Sequence, residues 1–130
     1  MYTMRAEWRK FAAGADDVAI DRLRGEVEVS FANGRRHVVR IAEDYGGWHL
    51  EAVVAGPRET ARLHDARVMA WQRNRRSRVV GYRVDARGRF CAHAWTPREG
   101  MTREMFLLLV RTLARDADRA ELVLTGADRR

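Results

Sequence analysis

The sequence contains one cysteine, two prolines and, among 25 basic residues, one lysine. A lone Cys91 excludes an internal disulfide framework and a multi-cysteine metal site. No apolar run approaches the ~20 residues that a membrane-spanning helix needs; the longest is MFLLLV, 105–110. The N-terminal MYTMRAEWRK has neither an apolar core nor a small-residue cleavage site, so no secretory signal and a cytoplasmic location are expected. A phosphate-binding P-loop, a dinucleotide fingerprint and a G-x-S-x-G elbow are all missing. His37, His49, His64 and His93 show no ligand spacing such as H-x-x-x-H, so neither a metal nor a cofactor is expected.

What is present describes a globular chain. Hydrophobic residues make up 46% and charged residues 33%, which excludes a disordered segment. The 130 residues suit a single domain, 1–130, with its own core. The formal net charge is +7. Such a surface suits nucleic acid, an acidic protein or an anionic membrane, and it speaks to partners rather than to fold. The near-absence of lysine fits a base-composition bias as well as it fits selection for binding.

Periodicity predicts the elements. Met4, Trp8, Phe11 and Ala12 share one face of a first helix that Gly14 ends. Residues 15–25 read equally as a helical turn or as a connector. EVEVSF (26–31), RHVVRI (36–41) and WHLEAVV (48–54) alternate with the period of half-buried antiparallel strands. A helix from Arg58 to Asn74 follows, with Pro57 in its opening turn; Leu63, Ala66 and Ala70 share a face, and Trp71 is placed in the core. VVGYRVD (79–85) and RFCAHAW (89–95) are two more strands, the second ended by Pro97. Thr102 caps a last helix. The expected fold class is therefore α+β: a five-stranded antiparallel sheet with helices packed on it, in the order α-β-β-β-α-β-β-α.

Parity fixes the two hairpin registers. A two-residue Asn33-Gly34 turn would pair Val27 with Arg40 and mix the faces. A three-residue loop, 32–34 with Gly34 left-handed, pairs Val27 with Val39 and Val29 with His37. The same loop at 86–88 pairs Val84 with Phe90, Tyr82 with Ala92 and Val80 with Ala94.

Three groups of residues are candidates for function. Arg73, Arg75, Arg76 and Arg78 crowd six positions and are possible anion or nucleic-acid contacts. The plainer reading is a helix end whose cations oppose the macrodipole, and no stacking aromatics interleave the run. Cys91 and His93 point to one face of a strand, but no orienting carboxylate or oxyanion-hole motif accompanies them, so no catalytic residue is assigned. The third group is apolar. Met105, Phe106, Leu108, Leu109 and Val110 lie all round a helix, which requires cover on more than one side, from this chain or from a partner. Val79 and Trp95 sit together on the second face of the sheet. These seven are the expected partner or dimer contacts.

The element order, and above all NRRSRVVGYRVDARGRFCAHAWTP (74–97) followed by GMTREMFLLLVRTLARDADRAE (100–121), resembles the YbjN-like family, whose fold is shared with type III secretion chaperones. The matching features are an Asn-Arg helix end, a strand, a D-x-x-G turn, a second strand, a Gly-Met-Thr helix opening and Asp118-Arg119 near the helix end. The layout agrees over about 26–125 and is clearest over 74–125. The resemblance implies a non-enzymatic, dimeric protein that binds a protein partner or client, as a chaperone-like adaptor or regulator. Secretion chaperones of this fold are typically acidic, whereas this chain is basic. The alternative is a nucleic-acid-associated regulator acting through the arginines around 73–78.

Overall fold

In the computed structural model, which describes residues 7–76 and 79–125, the alternating segments are strands of one antiparallel sheet. In chain order the elements are α1 (Glu7–Ala12), β1 (Val18–Asp21), β2 (Glu26–Ser30), β3 (Arg36–Asp44), β4 (Gly47–Ala55), α2 (Pro57–Arg62), α3 (Ala66–Asn74), β5 (Gly81–Val84), β6 (Phe90–Pro97) and α4 (Arg103–Thr125). The sheet runs β1-β2-β3-β4-β6-β5. The α+β class holds, but the sheet has six strands, not five. The extra strand is β1, from the segment that was ambiguous by pattern. Its inward residues are only Val18 and Ile20, too few to distinguish strand from helix until they pair with Val29 and Val27 of β2.

A second correction concerns the helix expected over Arg58–Asn74. It is two helices. Leu63 is extended (ψ 144°), and Asp65 takes a left-handed conformation (φ 49°) from which its carboxylate accepts the amide of Val68. An Asp in this conformation restarts a helix and so terminates the one before it. Met4 of the first expected helix lies outside the described residues.

Both hairpin registers follow parity. Val27 pairs with Val39 and Val29 with His37; Tyr82 pairs with Ala92 and Val84 with Phe90. Gly34 (φ 87°) and Gly88 (φ 78°) take the left-handed third loop position, each donating its amide to the residue before the loop, Phe31 and Asp85. Asp85 also accepts the Arg87 and Arg89 amides, both at 2.9 Å, which explains the acidic start of the D-x-x-G turn.

One face of the sheet is dry. Val27, Val29, Val39, Trp48, Leu50, Ala52, Phe90 and Ala92 point into it and are buried. α4 crosses this face and inserts Phe106, Val110, Leu113, Ala114, Ala117 and Ala120, all inaccessible to solvent. Full burial of each large side chain contributes about 1.5–3 kcal/mol. α1 packs on α4 and brings Phe11 against Trp48 and Phe106, with ring centroids 6.0 and 5.6 Å away. Arg111 clamps Asp17 at 2.7 Å, tying α4 to the approach of β1. No helix among the described residues is long and apolar enough to cross a membrane.

Gly47 sits where a Cβ would overlap the Thr96 carbonyl and the Trp95 ring, whereas a Cβ at Gly34 meets nothing within 4 Å. Gly47→Ala is expected to cost about 3 kcal/mol in urea unfolding, by overpacking. Gly34→Ala should cost only about 1 kcal/mol, from backbone strain at positive φ.

Candidate functional site

The opposite face of the sheet has no helix over it among the described residues. Cross-strand ion pairs cover most of it: Arg36–Glu28 at 3.6 Å, Arg40–Glu26 at 3.8 Å and Arg83–Glu51 at 2.6 Å. The exposed apolar residues between them are Val38, Val53 and Trp95, the last 49% accessible. Trp95 lies over Gly47 and donates its indole N–H to the Asp44 carbonyl at 3.3 Å. Val79, expected to pair with Trp95, precedes β5, whose pairing with β6 starts at Gly81–His93, and is exposed as well. α1 packs on the far side of the sheet and leaves both residues uncovered.

Cys91 and His93 share this face, as alternation requires, yet they form no nucleophile pair. The thiol is fully buried, and it donates toward Asp85 Oδ2 at 3.7 Å. Burial, reinforced by the Glu51 and Asp85 carboxylates, pushes it up to about 12. Thiol chemistry needs the thiolate, so this sulfur is inert. His93 packs on Gly81 and lies 5.6 Å from the His49 ring; burial, and then Arg83, lower its pKa.

Two ligand-type clusters emerge that linear spacing did not show, because their members come from distant elements. Glu51, Asp85 and Cys91 bring ligand atoms within 4.8 Å of one another, as do His37, Asp118 and Glu121. In both, guanidinium groups already supply the positive charge. Arg83 holds Glu51 and Arg89 holds Asp85 at 2.7 Å, while Arg35 forks onto Asp118 at 3.0–3.1 Å and reaches Glu121 at 3.4 Å. A fork-shaped cation matched to carboxylates satisfies such groups without a metal. His37 completes the second cluster by bonding the Val53 carbonyl at 2.9 Å, next to a register shift in β4. These residues join β3 to α4 and have a structural role.

The apolar run of α4 divides. Phe106 and Val110, expected at a partner contact, lie wholly inside this chain's own core, so no surface of theirs is left for a partner. Leu109 is half-buried, and Met105 and Leu108 remain exposed, Leu108 by 66%. The second cover that the run needed comes from α1 of the same chain, where Trp8 and Ala12 are buried.

The arginine run divides too. Arg73 stacks on the Tyr82 ring at 5.6 Å, while Arg75 stacks on Trp71 at 5.1 Å. Arg76 is exposed, and Arg78 lies outside the described residues. Trp71, expected in the core, is 57% exposed. Met69 and Trp71 flank the buried Ala70, and only the Met69 side is covered; Trp71, Val68 and Arg75 form the solvent face of α3. Beside Trp71 runs a groove of about 270 Å³ to edge strand β5, reaching Tyr82 and Val84. Asn74 crosses that edge, its amide oxygen accepting the Tyr82 N–H and its NH2 donating to the Tyr82 carbonyl at 2.9 Å. This occupies the backbone groups of Tyr82, which an edge strand would otherwise offer to another chain.

No protein-family model matches the chain, and no curated protein does. Solved structures do. A chain of the ExsC–ExsE complex superposes with a TM-score of 0.62 at 17% identity, over 94% of this chain and 96% of that one. A chain of the heterodimeric ExoU–SpcU complex from the type III secretion system of Pseudomonas aeruginosa gives 0.57 and 17%, over 95% and 97%. A chain of the Yersinia pestis type III secretion chaperone SycH in complex with a stable fragment of YscM2 gives 0.59 and 12%, over 89% and 98%. The protein therefore shares the fold of these chains.

Two outcomes test the chemistry of the outer face. Cys91 should not react with a disulfide reagent at mildly alkaline pH in the native protein, and should react fully once the chain is unfolded. Burial works against ionisation of Asp85, but the Arg89 amide and guanidinium and the Arg87 amide outweigh it and hold the carboxyl at about 2, below the usual 3.8. Its stabilising contribution is complete above the usual value and is lost as pH falls through about 2. The stability difference between wild type and Asp85→Asn should therefore shrink between those two pH values in acid-unfolding curves.

Proposed function

We propose that the protein is a non-enzymatic protein-binding module, a chaperone-like adaptor or regulator that dimerises and holds a protein partner. One observation carries this reading: Trp71, a large aromatic, stands more than half exposed on a helix beside the groove to an edge strand. Tryptophans in such positions are frequent anchors of protein interfaces. The fold supports it, since its likenesses over nearly the whole chain include a secretion chaperone seen with a fragment of another protein. The exposed members of the expected contact set, Val79, Trp95, Met105 and Leu108, extend the apolar surface available to a partner. The likeness to the YbjN-like layout over 74–125 points the same way, toward an adaptor working as one domain in the cytoplasm. No cofactor enters this role.

Light scattering at high protein concentration tests it. The expected mass is twice the 15.0 kDa of the chain, or that of a complex with a co-purifying protein. Trp71→Glu should return it to one chain without lowering the melting temperature, because the side chain is outside the core. A strict wild-type monomer that brings no protein with it would sink the proposal.

A second reading has its own observation. Trp71 stacked under the Arg75 guanidinium is an aromatic–cation pair of the kind that binds single-stranded nucleic acid. It requires oligonucleotide binding that falls steeply with salt and weakens in Arg75→Glu with Arg76→Glu. An undetectable signal at low salt ends it.

A further inference from the structure

On the other side of α3 from Trp71, an open recess of about 410 Å³ lies between α3 and the second half of α4. Met69, Tyr82 and Leu124 give it an apolar lining. Three guanidinium groups stand around that lining: Arg73 from α3, Arg76 from the turn just after it, and Arg119 from α4. Among the described residues, no ion pair engages any of the three. The one carboxylate in the wall, Asp116, is paired with Arg115 at 3.8 Å. The sequence motif suggested only the α3 arginines; the fold adds Arg119, 43 positions beyond Arg76, and removes Arg75 to the other side of the helix.

The plain alternative is that these arginines merely neutralise the carboxyl ends of α3 and α4, which converge here. The magnitudes decide against it. Each helix end carries about −0.5 charge. Three guanidinium groups against one carboxylate leave two positive charges, so about one remains uncompensated after both helix ends are counted. Arginine is weakly hydrated and forks onto carboxylates, and the lining beneath it accepts an apolar side chain. Phosphate is a poorer match, because a nucleic-acid backbone brings charge but nothing for the Met69–Leu124 lining.

We infer that the recess between α3 and α4 binds an acidic, apolar peptide segment of a partner protein, with a carboxylate held by Arg76 and Arg119 and a neighbouring apolar side chain seated on Met69, Tyr82 and Leu124. The inference rests on the reading of the chain as a protein-binding module, and it adds a second surface and the chemistry of its occupant. Arg73, held over Tyr82, shapes the recess from inside.

Fluorescence anisotropy on the whole chain tests this with four labelled probes: a short peptide alternating glutamate and leucine, a lysine–leucine version, a glutamate–serine version, and a single-stranded oligonucleotide of the same charge as the first. The glutamate–leucine peptide should bind at least about tenfold more tightly than the other three. Arg76→Glu with Arg119→Glu should weaken it by at least about tenfold. Arg58→Glu with Arg62→Glu, the same charge change on exposed residues of α2, should leave it unaltered. Circular dichroism melts confirm that both doubles fold. Equal or tighter binding of the oligonucleotide, no preference among the peptides, or no difference between the two doubles overturns the inference. Light scattering on the same samples keeps the two claims apart. A dimer that ignores the peptide overturns this inference alone, and a monomer that binds it selectively overturns only the dimeric function proposed above.

Discussion

The seat of α4 on β4 is the contact on which the rest of the structure depends. Trp48 and Phe106 meet edge to face, with centroids 5.6 Å apart, and Phe11 of α1 closes the trio. Such pairs add about 0.5–1.5 kcal/mol beyond the area they bury. Their larger effect is positional. Once Phe106 is seated, the helical repeat places Val110, Leu113, Ala117 and Ala120 on the dry face and aligns Arg111 with Asp17 and Asp118 with Arg35. The same rotation turns Met105, Leu108 and Arg119 outward. The inward and outward faces of the longest helix are thus set by one aromatic contact.

Arginine acts in three ways in this protein. On the outer sheet face it pairs with glutamates across strands, which makes that face a solvated one with a few apolar islands. Within the fold it stands against carboxylates, as Arg35 and Arg89 do, where a basic chain would otherwise bury unbalanced negative charge. At the far ends of α3 and α4 it remains unpaired among the described residues. Net charge alone says nothing about this division, because it counts charges without their partners. The partner-binding reading accordingly draws on where the exposed Trp71 and the unpaired arginines lie, and not on the total of +7.

Much of the fold is legible in local pattern. Parity between strands predicted both hairpin loops, since a one-residue error would have put Arg40 into the dry face. The third loop position has no side chain to clash, hence the two glycines there. The failures have local causes as well. β1 is too short to carry a period, and the break at Leu63–Asp65 lies inside a segment whose composition suits a helix throughout. Trp71 was misplaced because residues flanking a buried position lie on both sides of it, and periodicity does not say which side another element covers. The candidate site was less legible than the fold. Arg119 and Arg76 are far apart in the chain, as are His37 and Asp118, and no spacing rule joins residues that meet only when α4 crosses the sheet.

By itself, the sequence determined what nearest neighbours and alternation control: the α+β class, the three-residue loops and the strand faces. Those properties depend on residues within a few positions of each other, or on pairing parity. Only the tertiary structure decided which apolar residues stay outside, which arginines lack a carboxylate among the described residues, and that α1 packs on α4. Each of those outcomes is a competition between distant segments for the same surface, and a linear pattern holds no record of which segment arrives.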